Sequence, residues 1–213
     1  MYIVLLGPPG SGKGTQAAGL SHRLGVPAIS TGDLLRANVA AGTALGRQAA
    51  AIMAAGDLVS DELINGMLAD RLAQPDAAGG AVLDGYPRTV EQAQELERRL
   101  GAEHSADLQA IALVVDPAEV VVRLGGRRTC AACGAIGRAD GHDDRCVQCG
   151  GPTIVREDDQ PEAIARRLEV FALQTAPVTR HYEQRGQLAS IDAAGEVEDV
   201  AARIAAVLDR LSV

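Results

Sequence analysis

Tryptophan is absent from the 213 residues, phenylalanine occurs once and tyrosine three times. With aromatics at 2% and apolar residues at 47%, a core must be assembled from Ala, Val, Leu and Ile. Lysine is almost missing too: of 20 basic residues, Lys13 is the one lysine and the rest are arginine. No run of about 18 apolar residues occurs, which excludes a helix of membrane-spanning length. The apolar stretch 2–6 is too short for a secretory leader and lacks a basic flank, so a cytoplasmic protein is expected. The net charge of −8 leaves little basic surface to replace the counterions of DNA or RNA. Neither nucleic acid nor membrane is therefore an expected partner. Cysteine is sparse: four residues, in two CxxC pairs, which in a reducing compartment suggest a metal before a disulfide.

What is present alternates. Short apolar runs at 2–6, 28–29, 81–83, 111–115 and 188–191 have strand length and read as strands buried on both faces. Helical periodicity lies between them: Leu63, Met67, Leu68 and Leu72; Ile164, Leu168 and Phe171; Val197, Ala201, Ile204, Leu208 and Leu211. The expected fold is α/β, with a five-stranded parallel sheet flanked by helices. Two regions break the pattern, about 31–60 and about 123–160, and both read as insertions on the sheet. The second holds all four cysteines and few large apolar residues.

Gly7-Pro8-Pro9-Gly10-Ser11-Gly12-Lys13-Gly14-Thr15 follows the first expected strand and opens a helix, the context a phosphate-binding loop requires. Glycines let backbone N–H groups turn toward an anion, the helix N-terminus adds its dipole, and Lys13 can reach a β- or γ-phosphate. The pattern departs from the simplest form, because Gly14 follows the lysine and the hydroxyl comes at Thr15. Asp84, ending the third strand, is a candidate Mg²⁺ contact through water. Asp84-Gly85-Tyr86-Pro87-Arg88-Thr89 stands where open α/β sheets bind ligands. There Gly85 permits close backbone approach and Arg88 can hold a phosphate bidentately. Gln92 admits two readings: it completes a helix capping box with Thr89, or it reads a base. Ser30-Thr31-Gly32-Asp33-Leu34-Leu35-Arg36 is locally a helix cap followed by an arginine. Most of the histidines, at 22, 104, 142 and 181, read as surface residues.

Cys130-Ala131-Ala132-Cys133 and Cys146-Val147-Gln148-Cys149 are spaced as metal knuckles. Four sulfur ligands suggest a closed structural Zn²⁺ site, with His142 a weaker alternative ligand. A poorly hydrophobic insertion cannot build a core of its own, and a metal would supply its rigidity.

GPPGSGKGT at 7–15, STGDLLR at 30–36, DGYPRT at 84–89 and DDQ at 158–160 occur in the order found in adenylate kinases. The chain resembles the long-lid nucleoside monophosphate kinases along essentially its whole length. The resemblance implies a P-loop kinase with two mobile inserted subdomains: core at 1–29, 60–122 and 161–213, a monophosphate-binding insertion at 30–59, and a lid at 123–160. It implies transfer of a phosphoryl group from Mg-ATP to AMP, giving two ADP, by a monomer. Gly10, Ser11, Gly12, Lys13, Gly14, Thr15, Arg123 and Arg127 would hold ATP. Thr31, Arg36, Met53, Asp57, Leu58, Val59, Gly85, Arg88, Gln92, Arg156 and Arg167 would hold AMP. Lys13, Arg88, Arg123, Arg156 and Arg167 would clamp the transferring group, and Thr31 with Gln92 would favour AMP over UMP or CMP. The lid reads Ala135-Ile136-Gly137 where relatives often carry Tyr and His, so an aromatic contact with adenine is not expected. The rivals are a UMP/CMP-type kinase and a non-catalytic P-loop binding module. Arg36 and Arg88, for which a simple triphosphate switch has no evident need, count against the second.

Overall fold

The structure is a computed structural model describing residues 1–138 and 145–211. Five parallel strands form the central sheet: β1 (Tyr2–Leu6), β2 (Ala28–Ser30), β3 (Ala81–Asp84), β4 (Leu108–Val114) and, late in the chain, Leu188–Asp192. The lid contributes β5 (Arg127–Cys130), β6 (Ile136–Arg138) and β7 (Thr153–Ile154), so the last sheet strand is β8. The order in the sheet is β2-β3-β1-β4-β8. Val4 stands opposite Leu83 on one side and Ala110 on the other.

Side chains alternate across β1, yet both faces are apolar because helices cover both. Val4 and Leu6 join Leu83, Leu96, Val178 and Tyr182 in one core layer. Ile3 and Leu5 join Leu20, Val82, Ile111, Ile204 and Leu208 in the other. This is why the strands read as continuous apolar runs. Each fully buried Leu or Ile contributes about 1.5–3 kcal/mol. Tyr86 and Tyr182 are the largest fully buried side chains, and branched aliphatics fill the rest.

Four of the expected strands fall within a residue of their observed ends, and the fourth in order starts early. β4 begins at Leu108, although Gln109 interrupts the apolar run. The Gln109 amide donates to the Ala110 and Gln187 carbonyls, at 2.9 and 2.8 Å, so the polar side chain is absorbed by backbone.

Helices α1 (Lys13–Leu24) and α9 (Val197–Leu211) cover one face. The packed stripe of α9 runs through Val200, Ile204 and Leu208, while Val197 and Ala201 face water. Helices α4 (Asp61–Leu72), α5 (Val90–Ser105, broken at Gly101) and α8 (Ala176–Glu183) cover the other. Thr89 caps α5 by accepting from the Gln92 N–H at 3.1 Å. Helix α6 (Pro117–Gly125) leads into the lid, and α7 (Pro161–Val170) leaves it. A π turn at Phe171–Thr175 joins α7 to α8, where Pro177 brings no N–H to the helical ladder.

Helices α2 (Thr31–Ala40) and α3 (Ala44–Ala55) stand off the sheet as a hairpin. Gly46 is what lets them touch, since a Cβ there would lie 2.0 Å from the Asn38 carbonyl oxygen. The lid strands form a separate antiparallel sheet, ordered β6-β5-β7. Among the described residues, no helix is long and apolar enough to cross a membrane.

Candidate functional site

A cleft of about 950 Å³ opens at the C-terminal ends of β1, β2 and β3 and runs beneath the lid. Every nucleotide-site residue expected from the sequence, from Gly10 to Arg167, lines it. The loop between β1 and α1 forms its floor. Gly7, Gly10 and Gly12 hold positive φ angles of 141°, 81° and 94°. Side chains would also collide there: a Cβ on Gly7 would lie 2.8 Å from the Leu113 carbonyl oxygen. Helix α1 starts at Lys13 with no side-chain cap, which leaves its first N–H groups for an anion.

Lys13 Nζ donates to the Gly7 and Pro8 carbonyls, at 2.8 and 2.9 Å. Burial pushes the ammonium down to about 8; Asp84 partly opposes this, while Arg88, Arg167 and Arg127 add to it. Gly14, the departure from the simplest loop pattern, has a steric reason. A Cβ at that position would approach Asp84 Oδ2 to 3.2 Å, with Ile136 Cδ1 of the lid in ordinary contact at 3.9 Å. Thr15 is exposed at the cleft edge.

At one end of the cleft the second and third strand ends meet. Thr31 Oγ1 and Arg88 Nε both donate to the Gly85 carbonyl, each at 2.8 Å. Gln92, 2% exposed, accepts from the Arg88 N–H at 2.7 Å and donates to Asp61 Oδ1 at 2.6 Å. Its oxygen thus ties the residue before the Thr89 cap, not the Thr89 N–H that a capping box would use, and the side chain also lines the cleft. Arg36 pairs with Asp33 at 2.6 Å, and Met53, Asp57, Leu58 and Val59 complete that wall. Asp57 also reaches Arg166 of α7 at 2.6 Å.

The other end lies under the lid. Arg123 rests on Glu119, four residues earlier on α6, and donates to the Ala193 carbonyl at 2.8 Å. The Asp159 carboxylate is fully buried and takes a two-pronged pair from Arg127 and a 3.0 Å bond from Arg167. Arg156 donates to Thr129 at 2.8 Å. Burial first, then Arg36 and Arg127, pushes Arg156 down to about 10. Burial also lowers Arg88 and Arg167, each further depressed by neighbouring arginines. So many desolvated cations in one cleft describe a site built for polyanions.

In the lid the sulfurs of Cys130, Cys133, Cys146 and Cys149 all lie within 4.8 Å of one another. Sulfur–sulfur separations of 3.4–3.6 Å are close to the roughly 3.8 Å that tetrahedral zinc–thiolate bonds would set. Both knuckles turn alike: Gly134 and Gly150 hold φ angles of 73° and 71° and bond back to the Cys130 and Cys146 carbonyls. The thiols share their protons unevenly: the Cys133 and Ala132 N–H groups help bring Cys130 down to about 6, toward the thiolate that binds metals, while Cys133, despite the Ala135 N–H, is pushed up to about 12 by Cys149 and Cys130. A Cβ on Gly151 would press within 3.3 Å of two sulfurs, so the cradle fits a four-sulfur metal site. His142 lies outside the described residues.

Sequence reasoning passed over Asp61 and Glu119. Glu119 carried a signal, its i,i+4 spacing to Arg123. Asp61 carried none, because its partners lie 28 and 31 residues away. His181 is buried against Glu97, at 2.7 Å, whereas His22 and His104 are exposed.

A sequence profile of the family described as adenylate kinase matches residues 5–187. The adenylate kinase of Acidothermus cellulolyticus is 51% identical over 213 residues, 98% of both chains. Those of Salinispora tropica and Nitrosococcus oceani are each 49% identical, over 95% of both chains and over 98% and 99%. With a phosphate loop, converging arginines and relatives matching end to end, the chain belongs to the adenylate kinase family.

Proposed function

We propose that this chain moves a phosphoryl group reversibly from Mg-ATP to AMP, giving two ADP, with ATP under the lid and AMP at the Thr31–Gln92 end. The observation that carries this reading is the convergence of Lys13, Arg88, Arg123, Arg127, Arg156 and Arg167 on one cleft with a phosphate loop at its centre. The attacking AMP phosphate is already an anion, so no protein base is needed. That agrees with the three described histidines standing outside the cleft lining. Catalysis is then positioning and charge stabilisation of a loose transition state. Lys13 exchanges its two carbonyl partners for phosphate oxygens, and Arg88, Arg123, Arg156 and Arg167 close on the transferring group.

Bound together with ATP, Mg²⁺ would supply positive charge against the charge of the phosphates. Asp84, beside Gly14 at the cleft floor, offers the hard carboxylate that would hold its waters. The four lid cysteines would hold a structural Zn²⁺, since four thiolates leave no open position for catalysis. Residues 30–59 and 123–160 act as mobile units on a core of 1–29, 60–122 and 161–213. They open to admit nucleotides and close to exclude water. The family resemblance supports a monomer, and reduced paired cysteines fit the cytoplasm.

The test is ADP formation from Mg-ATP with AMP, beside UMP, CMP and GMP. AMP-selective turnover is expected, and Lys13→Met should lose at least about 4 kcal/mol of transition-state stabilisation. Turnover with UMP or CMP instead would overturn the acceptor assignment. Absence of transfer to any monophosphate would favour a binding module.

A further inference from the structure

We infer that Asp61, the first residue of α4, sets the base preference of the monophosphate site by fixing which way the Gln92 amide faces. The inference rests on the reading that Gln92 contacts the acceptor base.

A primary amide is nearly symmetric in shape and opposite in chemistry at its two ends. Turned by half a revolution, it offers a donor where it offered an acceptor. Gln92 is held at both ends. Its Oε1 accepts from the Arg88 backbone N–H at 2.7 Å, and that partner can do nothing but donate. Its Nε2 donates to Asp61 Oδ1 at 2.6 Å, and an ionised carboxylate can do nothing but accept. The reversed amide would set N–H against N–H and oxygen against carboxylate. The carboxylate is itself fixed, because Asp61 Oδ2 accepts from Thr89 Oγ1 at 3.0 Å. The same hydroxyl accepts from the Gln92 N–H at 3.1 Å, closing a ring of bonds. Tyr86 OH lies 3.0 Å from the Gln92 carbonyl oxygen and 2.7 Å from Asn65 Oδ1, which holds the backbone below.

One N–H and one oxygen lone pair of the amide remain for the cleft that Gln92 lines. Adenine offers on its pairing edge a donor, the 6-amino group, beside an acceptor, N1. Hypoxanthine and guanine offer the reverse order, an acceptor at O6 beside a donor at N1. A fixed amide satisfies one order and opposes the other, whereas a free amide could serve both. Asp61 is thus a positioning residue, acting on the base through Gln92.

The experiment compares kcat/KM for AMP with that for inosine monophosphate, with Mg-ATP as donor. Asp61→Ala should lower the AMP-to-IMP ratio by about tenfold, chiefly through KM. Asp61→Asn, whose amide oxygen can still accept from Nε2, should recover much of the ratio. In a Gln92→Ala background, Asp61→Ala should change the ratio no further. Thermal melting of each variant accompanies the kinetics, since a purely structural role would lower stability and leave the ratio in place. An Asp61→Ala ratio within about twofold of wild type, while Gln92→Ala collapses it, overturns the inference and leaves the role of Gln92 standing. A ratio unmoved by Gln92→Ala overturns the underlying reading as well.

Discussion

Lys13 is the sole lysine, so its ionisation can be followed without interference. Within the cleft, burial brings it from 10.5 to about 8. Holding the ammonium charged there at neutral pH costs up to roughly 3 kcal/mol, less whatever water at the cleft mouth screens. The sign follows from proton counting. Between about pH 8 and 10.5 the unfolded chain binds more protons than the folded one, so stability of the protein alone rises with pH across that window. A polyphosphate over the loop supplies the missing counter-charge and restores the ammonium. At about pH 8.5 roughly a quarter of the folded chains carry it, so ATP binding should take up about 0.7 proton, falling to about 0.1 at pH 7. Calorimetry in buffers of differing ionisation heat measures the uptake. Protein labelled with ¹³C at lysine Cε gives a single resonance that reports the titration directly. A resonance titrating near 10.5 without nucleotide, or binding with no proton uptake at about pH 8.5, would refute the reasoning.

Two further expectations concern the lid. Ile136, Ile154 and Val155 are 48, 51 and 42% exposed, so the lid has little apolar burial to hold it. Cys133→Ser, or chelation, should disorder the lid and suppress phosphoryl transfer while the core melts within a few degrees of wild type; full turnover by protein shown by metal analysis to be metal-free would contradict this. Asp159→Asn strips the charge from a fully buried carboxylate that holds Arg127 and Arg167. The cost to folding should be about 3–5 kcal/mol in urea titration, and a loss below about 1 kcal/mol would show that the arginines hold themselves in place.

The sheet was legible because both of its faces are covered, which makes each strand a plain apolar run. The Gln109 interruption hid the start of β4, since a glutamine satisfied by neighbouring carbonyls has no local mark. In α9 the expected stripe holds at Ile204 and Leu208 and fails only in the first turns, where Val200 packs in place of Val197 and Ala201: Val197 is apolar but lies at the exposed helix start, and periodicity weights it like any other valine. At the site, the phosphate loop and the cysteine knuckles announce themselves because their chemistry demands fixed local spacing. The carboxylates that steer their neighbours do not. Asp61 meets Gln92 across 31 residues and Asp159 meets Arg127 across 32, and no local pattern encodes such meetings. Gln92 showed the reverse difficulty, for its sequence context fitted two roles, and the structure gives it a bond to the Arg88 N–H just before the cap together with a place on the cleft wall.

The Arg127–Asp159 pair has a consequence for how this chain can vary. Arg127 is where the chain enters the lid and Asp159 is where it leaves, and Arg156 bonded to Thr129 adds a second rung across the same neck. The neck is thus closed by side chains that lie outside the cysteine-bearing loop. Neither pair draws on the cysteines, so what ties β5 to the chain leaving the lid is independent of the metal knuckles. A change confined to the cysteine-bearing loop leaves both bonds at the root of the lid in place.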